Sequence, residues 1–170
     1  ILAFGVHPDD VELSCSGTIL VSIAQGKKVG IVDLTRGELG TRGSADIRDI
    51  EAANAAKILG VHHRENLRMA DGFFEHSQEN LLKIVQVIRK FKPSIILANA
   101  IEDRHPDHGR SAKLVADAAF LAGLRKIETQ DEKGNPQEAF SPTNVFHYIQ
   151  DRVLTPHFVV DITPFYETKM

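Results

Sequence analysis

The stretch ILAFGVHPDDVE, residues 1–12, decides the fold class, because an apolar run passes directly into a polar turn and then into a helix. Residues 1–6 are apolar enough to form a strand buried on both faces, which is typical of parallel sheets. The residues HPDD at 7–10 are turn and helix-capping types, and apolar residues at helical spacing follow until Gly26. The stretch therefore predicts a strand, a short loop and a helix in succession.

The same alternation continues along the rest of the chain. Further β-rich runs are KVGIVDLT (28–35), PSIILANA (93–100), NVFHYIQ (144–150) and HFVVDIT (157–163). Helical periodicity marks residues 11–25, 45–59, about 81–91 and about 109–123. Alternating strands and helices predict an α/β, Rossmann-like fold with a mostly parallel sheet and helices on both faces. No repeat or internal boundary is evident, so we expect a single domain over residues 1–170.

Composition narrows the possible functions. The chain of 170 residues carries a formal net charge of -3, whereas nucleic-acid-binding proteins usually show a basic excess on one face. The single cysteine, Cys15, cannot form an internal disulfide, and no apolar run approaches the roughly 20 residues of a membrane-spanning helix. No GxGxxG follows the first strand, which argues against a dinucleotide cofactor. We therefore expect a cytoplasmic protein that acts on a small molecule, without nucleic-acid or membrane partners.

The tripeptide His-Pro-Asp occurs twice, each time after a predicted strand. HPDDVE (7–12) follows the first strand and RHPDHG (104–109) follows a later apolar strand. Because ligands bind at the carboxyl ends of parallel strands, the two copies should converge. A catalytic zinc takes three His or carboxylate ligands and leaves a fourth position for water, and His7, Asp10 and His108 supply such a set. The sequence therefore predicts one zinc site per chain, with ferrous iron as the alternative metal.

Each motif alone also has a purely structural interpretation. Asp9 or Asp10 would cap the helix that follows, and Pro8 would be an ordinary turn residue. Capping does not require one histidine in the first loop and two in the second, so a metal site better explains the two motifs together. His62 and His63 lack such a context and are interpreted as surface or loop residues.

Taken in order, the motifs resemble the LmbE-like, or PIG-L, family of zinc N-acetylglucosamine deacetylases. The resemblance spans nearly the whole chain and rests on HPDDVE with SGT (16–18), LTRGELGTRG (34–43), RDIEAANAAKILG (48–60) and RHPDHG. Ser16 stands where the family often has glycine, which exchanges one small residue for another. The runs GLRKIET (123–129), HYIQDR (147–152) and HFVVDIT resemble the branch that deacetylates N-acetylglucosaminyl malate in bacillithiol biosynthesis. The resemblance thus implies hydrolysis of this amide to acetate and a free amine.

The resemblance also implies roles for individual residues. It assigns the metal to the three predicted ligands, the general base to Asp9 and stabilisation of the oxyanion to a protonated His105. Asp107 is expected either to orient His105 through its ring N–H or to act as a turn or cap residue.

Substrate recognition is implied for a second group of residues. Arg48 resembles a family arginine that reaches the active site and would fork onto sugar hydroxyls or malate carboxylates. Arg36 and Arg42 belong to the same Gly-rich segment and are alternatives to it. Glu12 belongs to the family motif, although it would also favour a helix N-terminus electrostatically.

Two alternative functions stay open at this point. The first is deacetylation of another amino sugar or conjugate, such as N-acetylglucosamine, a chitin oligomer or a mycothiol-type amide. The second is a metal-binding or sugar-binding module without activity. Family analogy further predicts a homo-oligomer and a chain that continues beyond Met170, so that the C-terminal part of the domain would be missing here.

Overall fold

Strands and helices alternate along the chain in the computed structural model, which describes residues 1–170. The strands are β1 (Leu2–Gly5), β2 (Gly30–Thr35), β3 (His63–Met69), β4 (Ile95–Ala98) and β5 (Asn144–His147). The helices are α1 (Asp10–Ala24), α2 (Ala45–Leu59), α3 (Gln78–Phe91), α4 (Pro106–Ala122) and the short α5 (Tyr166–Lys169), which follows a 3-10 turn at Thr163–Phe165. No helix combines the length and the apolar character needed to cross a membrane.

The five strands form one parallel sheet in the order β3-β2-β1-β4-β5. Successive strand residues point to opposite faces, so each face of the sheet buries its own apolar cluster. Leu2 and Phe4 pack with α3 and α4 on one face, while Ala3 and Ile31 pack with α1 and the end of α2 on the other. The predicted α/β, Rossmann-like class with helices on both faces is therefore confirmed.

The predicted carboxyl ends of the helices match the structure closely, whereas α3 and α4 each begin about three residues before the predicted starts. Ser44 and Ser77 cap α2 and α3 by accepting a backbone N–H through their side chains. Gly60 ends α2 in the left-handed conformation at φ 69°, and Lys92 ends α3 directly before Pro93. The apolar residues that predict α2 are not all buried in the structure. Ile50, for example, is 63% exposed.

Two strand predictions were wrong. HRENLRM (63–69) forms β3, which we did not predict, because this edge strand pairs only with β2 and buries only Met69 fully. HFVVDIT (157–163) forms no strand, and Val159 is 80% exposed. This segment crosses to α1 instead, where a Cβ on Gly17 would come within 2.7 Å of Ile162.

Candidate metal centre

The two His-Pro-Asp motifs lie side by side at the carboxyl edge of the sheet. They occupy the loops after β1 and β4, which are paired neighbours. The order of the strands reverses at this pair, since β2 and β3 lie on one side of it and β5 on the other. Crevices at such switch points are the usual ligand sites of α/β proteins.

His7, Asp10 and His108 form a buried triangle of groups that can bind a metal. One ligand atom from each residue lies within 4.8 Å of the other two. His7 Nδ1 is 3.7 Å from Asp10 Oδ2, and His108 Nε2 is 3.2 Å from Asp10 Oδ1. None of the three residues is more than 9% exposed. The structure thus brings together the three residues that the sequence predicts as ligands.

Each histidine of the triangle also faces a carboxylate through its other ring nitrogen. His7 Nε2 is 3.0 Å from Asp71 Oδ1, and His108 Nδ1 is 3.0 Å from Asp103 Oδ1. The second contact is a close approach that lacks the alignment of a hydrogen bond. Carboxylates in this position fix the tautomer and orientation of a metal-binding imidazole. His7 Nδ1 and His108 Nε2, the nitrogens that face Asp10, are therefore the ones available to a metal.

Sequence reasoning missed both of these carboxylates. Asp71 follows β3, so the failure to predict that strand also hid the strand end that marks Asp71. Asp103 lies two positions before His105, and a single aspartate in a polar loop does not by itself predict a metal-site residue. A search for carboxylates after every strand, polar ones included, would have found Asp71.

The Asp10 carboxylate is held by N–H donors on both oxygens. Oδ2 accepts hydrogen bonds from the backbone of Val6 and His7 at 2.9 and 3.0 Å and from the Asn99 side chain at 3.0 Å. Oδ1 accepts one from Gln150 at 3.1 Å. Burial acts to raise the pKa of Asp10, but the two neighbouring imidazoles hold the pKa of this carboxyl far below its usual value. The carboxylate is therefore charged and fixed in direction.

The charges around the triangle favour a cation at its centre. Burial acts to lower the pKa of His7 and His108, yet their partner carboxylates outweigh burial and raise both pKa values. A raised imidazole pKa indicates a local excess of negative potential. Two nitrogen donors, a fixed carboxylate and this potential suit a divalent cation of the zinc type. The residues present thus fit the predicted metal.

His105 lies against the triangle from the N-cap position of α4. Its ring centroid is 4.8 Å from that of His7 and 5.0 Å from that of His108. Burial and these two imidazoles lower the pKa of His105. Its Nδ1 accepts a hydrogen bond from the Asp107 backbone N–H at 3.3 Å, which leaves the ring proton on Nε2. The ring therefore offers one N–H donor, and its lowered pKa favours the neutral form over the imidazolium that we expected.

The expected bond between the Asp107 carboxylate and the His105 ring is absent. The carboxylate instead accepts hydrogen bonds from the Gly72 N–H at 2.9 Å and from Arg110 at 3.0 Å. It is fully buried, and one oxygen lies 3.9 Å from His7 Nε2. Asp107 therefore ties the start of α4 to the loop after β3 and adds negative charge beside the triangle.

Asp9 is the exposed carboxylate at the edge of the site, with a side chain that is 51% exposed. Its Oδ2 accepts a hydrogen bond from Arg48 Nη2 at 2.9 Å, while Arg48 Nη1 donates to the Gly37 carbonyl at 3.0 Å. Gly37 has φ 63°, and a Cβ there would lie 2.0 Å from Arg48 Nη1, so any other residue would be strained and would push the guanidinium aside. The structure brings Asp9 and Arg48 together, and Arg48 is engaged with Asp9 itself.

An open cleft of about 570 Å³ adjoins the triangle at Pro8 and Asp9, and its lining does not include His7, Asp10 or His108. Its other walls come from α1, α2 and the loop at 40–43, and they include Arg42 and Arg48. Small-molecule sites usually have volumes of about 300 to 1,000 Å³. The cleft is therefore large enough for a sugar-sized ligand beside the triangle.

The remaining predicted recognition residues differ in whether their side chains are already paired with other residues of the protein. Arg36 Nη2 lies 2.5 and 2.6 Å from two aspartates of α2, so this arginine braces the loop. Glu12 is paired with Arg64, and its side chain is only 20% exposed. Arg42 is exposed, lines the cleft and has no ion pair or hydrogen bond from its side chain. Arg42 is thus the arginine of the segment that is free to meet a ligand.

Known proteins share this architecture. The diacetylchitobiose deacetylase of Thermococcus kodakarensis is 29% identical over 180 aligned positions, covering 100% of this chain and 66% of that protein. The probable N-acetyl-alpha-D-glucosaminyl L-malate deacetylase 2 of Bacillus anthracis is 30% identical over 128 positions, covering 66% of this chain and 55% of that protein. The solved structure of the conserved protein TT1542 from Thermus thermophilus superposes with a TM-score of 0.90 at 38% identity, covering 99% of this chain and 74% of that one.

The family assignment rests on a direct match to most of the chain. The chain spans only 55% to 66% of the length of the curated relatives it matches. The family model for PIG-L, described as GlcNAc-PI de-N-acetylase, matches residues 2–119, which include both His-Pro-Asp motifs and every strand of the sheet except β5. This chain therefore belongs to the PIG-L family.

Proposed function

We propose that this protein is a metal-dependent N-deacetylase that hydrolyses the acetamide of an N-acetylglucosamine conjugate. The observation that carries the proposal is the buried triangle of His7, Asp10 and His108, with Asp9 on its cleft side and His105 against it. Metal-dependent amide hydrolysis uses a metal site, a base and a donor to the oxyanion, and these residues supply all three. Zinc is the proposed metal, because two imidazoles and one carboxylate are typical of catalytic zinc sites.

The metal, bound at the triangle, would lower the pKa of its water to about 7 and polarise the acetyl carbonyl. Asp9 takes a proton from the attacking water, since only its Oδ2 is engaged with Arg48 and Oδ1 is free to accept. Arg48 fixes the direction of this carboxylate by bonding to it and to the Gly37 carbonyl at the same time. Asp9 then delivers the proton to the departing amine, and acetate is the second product.

His105 stabilises the tetrahedral intermediate through its Nε2–H. Its Nδ1 is occupied by the Asp107 backbone N–H, so the ring offers one donor in a fixed direction. A neutral donor suits a site that already binds a cation, because an imidazolium would be repelled by the metal. The lowered pKa of His105 favours this neutral form near pH 7.

We further propose N-acetylglucosaminyl malate, an intermediate of bacillithiol biosynthesis, as the preferred substrate. The name of the Bacillus anthracis relative supports this choice, whereas the name of the Thermococcus relative favours diacetylchitobiose as the alternative. Malate carries two carboxylates, and Arg42 is the free cation in the wall of the cleft. Arg48, which we first expected to bind the malate, holds Asp9 instead.

A substrate comparison tests the proposal. Metal-loaded protein is given N-acetylglucosaminyl malate, N-acetylglucosamine and diacetylchitobiose at equal concentration, and acetate release is followed over time. The malate conjugate should be hydrolysed fastest. Arg42→Gln should lower kcat/KM for this substrate roughly tenfold, the size of one charge-assisted hydrogen bond of about 1.5 kcal/mol. The same change should leave hydrolysis of neutral N-acetylglucosamine unaltered.

Arg125→Gln is the matched control, since Arg125 is exposed and does not line the cleft. Equal losses on charged and neutral substrates in Arg42→Gln would remove the malate contact from the proposal. Equal rates on all three substrates would indicate a general amino-sugar deacetylase. Inactivity on all three despite bound metal would favour the module that only binds metal or sugar.

A further inference from the structure

Arg64 of β3 uses every N–H group of its guanidinium. Nε and Nη2 donate to the two carboxylate oxygens of Asp33 at 2.8 and 3.0 Å, and Nη2 also donates to the Pro8 carbonyl at 3.1 Å. Nη1 donates to the Ala52 carbonyl at 3.0 Å and to Glu12 Oε1. The Arg64 side chain is only 7% exposed. Such complete use of an arginine fork fixes its position and that of its partners.

The partners of Arg64 belong to four different parts of the molecule. Asp33 lies on β2, Ala52 on α2 and Glu12 in the first turns of α1, while Pro8 lies in the turn between β1 and α1. The Pro8 carbonyl belongs to the peptide that joins Pro8 to Asp9. This peptide stands between the two neighbouring members of the triangle, His7 and Asp10. The guanidinium therefore connects the edge strand β3 and its neighbour β2 directly to the turn that carries two of the three predicted ligands.

We propose that Arg64 is a positioning residue for the metal centre. It sets the orientation of the Pro8–Asp9 peptide and of the first turn of α1, and so the spacing of His7, Asp10 and Asp9. It touches none of these three side chains, and it acts through the backbone and through Glu12. A displacement of about 1 Å in such groups is enough to reduce catalysis severely. This also assigns Glu12 to the support of the turn rather than to substrate.

A second buried arginine provides a natural comparison. Arg89 of α3 is 3% exposed and donates to the carbonyls of Ala122, Leu124 and Ile127 and to the Thr129 hydroxyl. These partners surround the carboxyl end of α4, away from the two His-Pro-Asp loops. Arg89 therefore closes a helix end, whereas Arg64 braces a turn of the candidate site.

The test replaces each arginine by lysine. Lysine keeps the charge but cannot span both oxygens of Asp33, the Pro8 carbonyl and the Ala52 carbonyl from one nitrogen. Arg64→Lys should lower zinc affinity, measured by competition with a chelator, by roughly 10- to 100-fold, as expected for groups that orient metal ligands. It should lower kcat per bound metal by a similar factor and leave KM within about threefold. Arg89→Lys should lower Tm and leave zinc affinity and kcat within about twofold of the native values.

An outcome in which Arg64→Lys lowers Tm alone, as Arg89→Lys does, would overturn the proposal. If Arg64→Lys does not fold, Asp33→Asn takes its place, because it removes one acceptor of the fork and keeps the other. Native zinc affinity and kcat in Asp33→Asn would likewise reject the proposal. The kinetic part of the test rests on the proposed deacetylation, whereas the zinc part does not. If the native protein bound zinc without hydrolysing any substrate, the proposed function would be rejected. The comparison of zinc affinity between Arg64→Lys and Arg89→Lys would still test the role of Arg64.

Discussion

The two ends of the sheet bury charge in different ways. At the carboxyl edge, Asp10, Asp71 and Asp103 converge on His7 and His108, and negative charge predominates. At the carboxyl end of α4, Arg89 is buried among neutral carbonyl and hydroxyl groups. A bound cation would balance the negative charge at the carboxyl edge. Arg89, by contrast, takes its hydrogen-bond acceptors from the protein itself. Changes at the first should alter binding and chemistry, and changes at the second should alter only stability.

The largest effect is expected from removing a member of the triangle. His7→Ala or His108→Ala should leave the purified protein without stoichiometric metal and reduce hydrolysis to background, because two donors rarely retain a divalent ion. Metal analysis after gel filtration measures the first effect, and acetate release measures the second. His157→Ala, at an exposed histidine distant in sequence from both motifs, is the control. One metal ion per chain in either triangle variant would refute the ligand set.

Removal of the base should be the next largest change. Asp9→Asn should retain the metal and lower kcat by about 10²- to 10⁴-fold, the usual contribution of a general base. Metal content and kcat are measured on the same preparation, which separates a lost base from a lost metal. Near-native kcat would show that Asp9 is not the base and serves only as the partner of Arg48.

The carboxylates behind the histidines should have an intermediate effect. Asp71→Asn and Asp103→Asn should each weaken metal affinity by about 10- to 100-fold, since an amide can orient an imidazole but lacks the negative charge that makes the ring a stronger donor to the metal. A chelator titration gives the affinity of each variant. Native affinity in both variants would show that backbone contacts alone hold His7 and His108 in place.

At the opposite end of the molecule, Arg89→Met should lower the free energy of unfolding by about 3 kcal/mol, because several carbonyls lose a charged donor in a buried site. Urea unfolding measures the stability, and kcat well below the transition should equal the native value. A fall in kcat in this variant would contradict the expectation that changes around Arg89 alter only stability.

The smallest effect concerns Cys15, which lies in the apolar layer between the sheet and α1. Burial raises the pKa of the Cys15 thiol to about 12, so the thiol stays protonated at pH 8 and should not react with a disulfide reagent in the folded protein. Full reaction is expected in denaturant. The reagent should also leave the activity of the folded protein unaffected. Rapid labelling of the folded protein would contradict the prediction and indicate that the apolar layer opens.

The sequence predicts the triangle because its signals are local. His7 follows β1 almost directly, and His108 lies in the first turn of the helix after β4, so the rule for parallel sheets brings both motifs to one edge. β3 escaped prediction because an edge strand with polar residues lacks the apolar run that marks β1. The pairing of Arg48 with Asp9 joins residues that are 39 positions apart, and no pattern in either segment predicts this contact. The lowered pKa of His105 depends on burial and on two neighbouring rings, so it also required the three-dimensional arrangement.

The Gly37 contact divides the loop between β2 and α2 into a constrained part and a variable part. A side chain at position 37 would displace Arg48 and with it Asp9, so selection for any hydrolytic activity should retain this glycine. Thr41 and Arg42 are exposed and line the same cleft without contacting Asp9. Under the proposed function, changes at 41 and 42 would therefore alter substrate preference without disturbing the pair of Asp9 and Arg48, and directed evolution of new specificities should begin at these two positions.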